Sequence, residues 1–101
     1  MKVRYTSRYL DFRDKTLTLR EATCLWAQVK NLAMDGATGF QEISLGTKER
    51  HFKVYLYISK ALDTLIWLGG HLERPGEPKP GYLIEVREEA AIIQREERHG
   101  S

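Results

Sequence analysis

The stretch RHFKVYLYIS, residues 50–59, alternates as a β-strand does, and it limits the fold more than any other feature of the chain. Successive strand side chains point to opposite faces, so Phe52, Val54, Leu56 and Ile58 share one side and His51, Lys53, Tyr55 and Tyr57 the other. The aliphatic side requires helices or a second sheet to cover it. The other side sets cations between aromatic rings and raises the question of a partner.

The flanking segments supply the remaining elements. Residues 2–10 alternate Val3, Tyr5, Ser7, Tyr9 against Lys2, Arg4, Thr6, Arg8, which predicts a first strand, with DFRDK as the turn that follows. TLREATCLWAQVKNLAMDG predicts a helix. Thr18 and Glu21 have capping-box spacing, Ala22, Leu25, Trp26, Val29, Leu32 and Ala33 form one apolar face, and Gly36 is placed to end it. GFQEISLG predicts a second strand, joined through GTKER to residues 50–59 as a hairpin.

Farther along, punctuation guides the reading. SKALDTLIWLGG is expected as a short helix between a Ser59 cap and a Gly69–Gly70 stop, with Thr64–Leu68 as a buried strand the competing reading. Trp67 falls off the Leu62–Leu65–Ile66 stripe of that helix and is assigned to an interface. Residues 73–81, ERPGEPKPG, hold all three prolines and predict a stiff connector. After it, 82–86 are expected as a strand leading into a helix at 87–98; one helix from 82 is the alternative. Residues 96–101 are expected to fray.

A chain of 101 residues accommodates one domain, spanning 1–101. The element order then predicts an α+β domain of the ferredoxin-like βαββαβ plait. Such a plait has a four-stranded antiparallel sheet and two helices on one face, here with an added C-terminal helix. The strands at 2–10 and 50–58 would be its central pair.

Motifs for catalysis are missing. His51, His71 and His99 stand apart in sequence, no serine sits in a nucleophile elbow, and Cys24 lies mid-helix, away from the helix N-terminus that would activate a thiol. LGTKER lacks the second glycine of a phosphate loop, and His71 with Glu73 is too few ligands for a metal. No cofactor, metal, small-molecule substrate or enzymatic activity is therefore expected. No apolar run approaches a membrane span, and the single cysteine suits a cytoplasmic, reducing compartment.

What remains is binding. Residues 1–60 carry 11 Lys/Arg and 6 Asp/Glu, a balance of +5, whereas 61–101 carry 5 and 8, a balance of −3. That asymmetry can steer a partner or pair two copies head to tail. The expected function is that of a non-catalytic, protein-binding regulatory or inhibitory accessory protein that self-associates as a homodimer. The alternative is a single-stranded nucleic-acid-binding module, in which bases stack on Tyr55 and Tyr57 while His51, Lys53, Arg4 and Arg8 meet phosphates. RNA-recognition domains use the same face of a plait in this chemical way. Their motif, however, has Gly and Phe where this chain has His51 and Lys53.

Overall fold

The first strand is shorter than its alternation predicts. In a computed structural model that describes residues 1–99, β1 is Lys2–Tyr5, and a helix, α1, follows at Ser7–Thr16. Thr6 is the reason. Its Oγ1 accepts the Tyr9 amide hydrogen bond at 3.1 Å, as a helix N-cap does, and donates to the Leu68 carbonyl at 2.7 Å. Tyr9 and Phe12, three residues apart, then fall on one buried helix face. That three-residue spacing fits a helix and not a strand, and the Thr6 cap starts the helix where the alternation of residues 2–10 would have continued the strand.

The next helix, α2 at Leu19–Met34, has the expected capping box: the Thr18 amide donates to Glu21 Oε1 at 2.8 Å and the Glu21 amide to Thr18 Oγ1 at 3.1 Å. Strands β2 (Gly39–Gly46) and β3 (His51–Ser59) form the expected hairpin. Gly46 has φ +114°, and a Cβ there would collide with the Arg50 carbonyl, so only glycine fits that corner.

The apolar run after the hairpin is strand β4, Thr64–Leu72, which corrects the expected short helix and restores the competing reading. Ser59 Oγ does accept the Leu62 amide at 3.1 Å, but one turn later Asp63, at φ +49°, redirects the chain. Covered on both faces, β4 needs no polar side, so its sequence shows a continuous apolar run. The residues from Tyr82 to His99 form one helix, α3, which corrects the strand expected at 82–86. Val86, Ala90 and Ile93 are its buried positions. Residues 96–99, expected to fray, are helical; 100–101 lie outside the described residues.

These exchanges change the topology. The sheet order is β1-β4-β3-β2, with β1 parallel to β4 and the other pairs antiparallel. The protein is thus a small α+β domain with a four-stranded mixed sheet and three helices, and the antiparallel plait is corrected. Central positions belong to β3 and β4, and β1 lies at an edge. Tyr9 and Phe12 of α1 and Leu25 and Val29 of α2 pack with Phe52, Val54, Leu56, Ile58, Leu65 and Trp67 on one face. On the other face, Val86, Ala90 and Ile93 of α3 pack with Tyr55, Tyr57, Ile66 and Leu68. The helices cover both faces.

Two local devices join these layers. Leu56 pairs with Trp67 but Tyr55 with Gly69, so Leu68 is an extra residue, a β-bulge in β4. The bulge turns His71 toward α3, beside Tyr55. Gly69 and Gly70, expected as a helix stop, instead leave room for rings. A Cβ on Gly69 would lie 2.6 Å from the Tyr82 hydroxyl, and one on Gly70 would lie 2.5 Å from the Phe12 ring.

Arg50 ties the hairpin to the helix layer. Its guanidinium donates to Glu21 Oε2 at 2.7 Å and Oε1 at 3.0 Å, and also to the Thr16 carbonyl at the end of α1. That bidentate pair, with the capping bond, holds the Glu21 carboxyl down at about 2, from an ordinary 4.5. A carboxyl with a depressed folded pKa contributes stability above its unfolded pKa, and that contribution is lost as pH falls. The urea midpoint of the wild type should therefore drop as pH falls from above 4.5 toward about 2. Glu21→Gln should lower the midpoint at neutral pH, and its gap to wild type should close across that window. A gap that stays constant with pH would show that the pair does not contribute.

Candidate functional site

On the face of β3 that bears His51, Lys53, Tyr55 and Tyr57, α3 lies over the two tyrosines, and His51 and Lys53 stay half-buried. Tyr55 is 4% exposed and Tyr57 3%. Tyr57 donates from its hydroxyl to Glu97, whose other oxygen accepts from Ser59 Oγ at 2.8 Å. Burial, reinforced by the Glu97 carboxylate, pushes the Tyr57 hydroxyl up to about 12. The Tyr55 hydroxyl shares a 2.8 Å hydrogen bond with His71 Nε2, and His71 Nδ1 lies 2.9 Å from the Leu72 carbonyl. A carbonyl only accepts, so Nδ1 carries a proton; in the neutral ring, Nε2 then accepts from Tyr55.

The cations are also engaged. Lys53 sits 2.8 Å from Glu42 and 3.2 Å from Glu73, bonds that raise its pKa. His51 pairs with the same Glu73. Arg8 pairs with Glu89, and Arg4 reaches Glu96 at 3.9 Å. The basic N-terminal half and the acidic tail thus meet within one molecule. Base stacking on Tyr55 and Tyr57 would require α3 to lift away. The face that the nucleic-acid alternative needs open is therefore covered by α3 at Tyr55 and Tyr57.

Trp67, assigned to an interface, is 2% exposed. It stacks on Tyr9 with ring centroids 4.8 Å apart. Trp26, assigned to the core stripe of α2, is 40% exposed. The two tryptophans exchange their expected places. An α2 stripe defined by spacing alone is wider than the part of the helix that touches the sheet: Leu25 and Val29 are its buried centre and Trp26 its rim.

A cleft of about 380 Å³ lies between α1, the end of β4 and the start of α3, lined by Arg8, Asp11, Lys15, His71, Lys79 and Tyr82. Several of its polar groups are already paired, although Arg8 Nε is buried without a hydrogen-bond partner. Asp11 holds Lys15 at 2.8 Å, both His71 nitrogens have the partners named above, and the Tyr82 hydroxyl accepts from the Gly70 amide and donates to the Gly70 carbonyl. Among the described residues no three His, Cys, Asp or Glu side chains converge as metal ligands, and no helix is long and apolar enough to cross a membrane.

An exposed apolar surface lies elsewhere, along β1. All four β1 residues are exposed, and the strand pairs only with β4. The Lys2 and Thr6 amides donate toward β4, to the Asp63 and Trp67 carbonyls at 2.9 and 3.0 Å. Strand amides alternate in direction, so the main-chain groups of Val3 and Tyr5 face outward. Beside them lies a groove of about 360 Å³ lined by Met1, Val3, Trp26, Ala33, Met34 and Leu65, with Lys30 at its rim. Met34 is 83% exposed. The Trp26 ring rests on Trp67 with centroids 6.3 Å apart, and the Lys30 ammonium lies 6.0 Å from it. The exposed ring is held in place from below. Sequence spacing could not have found this surface, because it depends on β1 being an edge and on which tryptophan is covered.

No protein-family model and no curated protein matches the chain.

Proposed function

We propose that the chain is a non-catalytic protein-binding protein, regulatory or inhibitory in kind, that engages its partner along β1 and the adjoining face of α2. The observation that carries this reading is the coincidence of an open strand edge with Trp26, Met34, Met1 and Val3 exposed beside it. Soluble domains protect their edges, because free amides and carbonyls recruit other strands. Two polar exposures would be ordinary. An unpaired edge next to a fixed, exposed indole has the form of a strand-addition site: main-chain bonds supply affinity and side-chain pockets supply selection. Trp is also the residue type most concentrated at binding hot spots.

Trp26→Glu tests the proposal. The substitution lies at a helix rim and should leave the fold intact by circular dichroism. Proteins captured by the immobilised wild-type chain after nuclease treatment should be lost from the Trp26→Glu column, with a drop of at least about tenfold for a hot-spot residue. A captured set that is the same on both columns would overturn the reading.

A further inference from the structure

From the charges around the edge, we infer the chemistry of the occupant: an extended segment of a different protein in which apolar residues alternate with Asp or Glu. This rests on the strand-addition reading above and adds to it the partner's sequence character.

The two faces of β1 differ. Val3 lines the groove with Trp26 and Met34, and Tyr5 stacks on Tyr9 of α1 at 5.9 Å, so both point to the α1/α2 side. Lys2 and Arg4 point to the other side, where Arg4 approaches Glu96 on α3. A strand added at this edge continues both faces. On the groove side its residues meet Val3 and the Trp26 ring. On the other side they lie directly across from Lys2 and Arg4. Lys2 and Lys30 make no ion pair among the described residues, and Arg4 holds Glu96 only at 3.9 Å.

A second copy fits poorly here. Suppose two β1 strands pair antiparallel about a two-fold axis, with the apolar face kept continuous. Val3 then opposes Val3 and sets Lys2 against Arg4, or Arg4 opposes Arg4. Each register places cation against cation, and like charges directly opposite destabilise a strand pair. An acidic segment turns both repulsions into attractions. Apolar residues at every second position then reach the groove.

The test uses a synthetic peptide of about eight residues, roughly the length of an ordinary strand, with valine and glutamate alternating. Its counterpart carries lysine in place of glutamate. Trp26 emission reports binding, because Trp67 is already buried and the exposed Trp26 indole should shift to the blue when covered. The glutamate peptide should bind at least about tenfold more tightly than the lysine peptide. Val3→Pro should weaken it, since the lost amide faces away from β4 and the β1–β4 ladder is kept. The double change Lys2→Glu with Arg4→Glu should reverse the preference.

Equal binding of both peptides would overturn the acidic assignment. So would binding of neither, whether the chain sediments as a monomer or as a dimer occupying its own edge. In any of these cases, Trp26-dependent capture that persists leaves the protein-binding reading standing, and its loss removes both.

Discussion

Tyr57→Ala should remove about 3–5 kcal/mol of folding stability, the range for truncating a fully buried aromatic residue. The ring fills the space between β3 and α3, beside Ile66, Val86 and Ile93. Against a total of roughly 5–15 kcal/mol for a small domain, this is a large share. α3 should be the first element to loosen, because this ring and the Glu97 pair hold its C-terminal half. Tyr57→Phe keeps the ring and loses only the hydroxyl, so it should cost about 1–3 kcal/mol. Urea titrations followed by far-ultraviolet circular dichroism measure both. If Tyr57→Ala unfolds at the wild-type midpoint, the tyrosine is not structural and α3 does not cover that face as described.

Gly70→Val should also destabilise, by the opposite mechanism. The new Cβ would lie 2.5 Å from one Phe12 ring carbon and 3.1 Å from the Lys53 carbonyl oxygen. The backbone on one side cannot move without breaking the β3–β4 ladder, so the ring on the other must. Overpacking of this kind typically costs about 1–3 kcal/mol. Phe12→Leu should recover part of the loss in the double variant, since it removes the ring edge that the valine meets. A double-mutant cycle by urea denaturation measures that coupling. If Gly70→Val is as stable as wild type, the glycine is not a slot for Phe12.

These two expectations mark where spacing was a sufficient guide and where it was not. The capping box at Thr18 and Glu21, the glycine after α2 and the hairpin through Gly46 are local: each is specified by residues within a few positions of one another. The strand at 51–59 was legible for the same reason, down to the face that packs on α1 and α2. Segments that failed were those where local period did not decide the outcome. The alternation over residues 2–10 reads as one strand, with DFRDK as a turn, until Thr6 caps a helix at Ser7 and bonds to Leu68, 62 positions away. Tyr82–Val86 fits both periods, and the helix is selected because Val86 falls in line with Ala90 and Ile93 against the sheet.

The candidate surface was less legible than the fold. His51, Lys53, Arg4 and Arg8 look unpartnered in sequence, but their partners Glu73, Glu42, Glu96 and Glu89 come from the end of β4, from β2 and from α3. A charge that looks free in sequence is free only if the fold brings no opposite charge to it. The tryptophans make the same point with apolar side chains. Trp26 and Trp67 are equally hydrophobic, and only the position of the sheet determines which of them is covered.

By itself, the sequence determined the local units: the capped helix α2, the helical part of α3 from residue 87, a hairpin and the amphipathic β3, all held by short-range bonds and by side-chain period. Tertiary structure alone decided that α3 lies over Tyr55 and Tyr57, that a bulge at Leu68 turns His71 toward them, and that β1 pairs with β4 at an edge. Those outcomes depend on long-range pairing, where burial of both sheet faces outweighs any local preference. They also moved the candidate binding surface from β3 to the exposed edge beside Trp26.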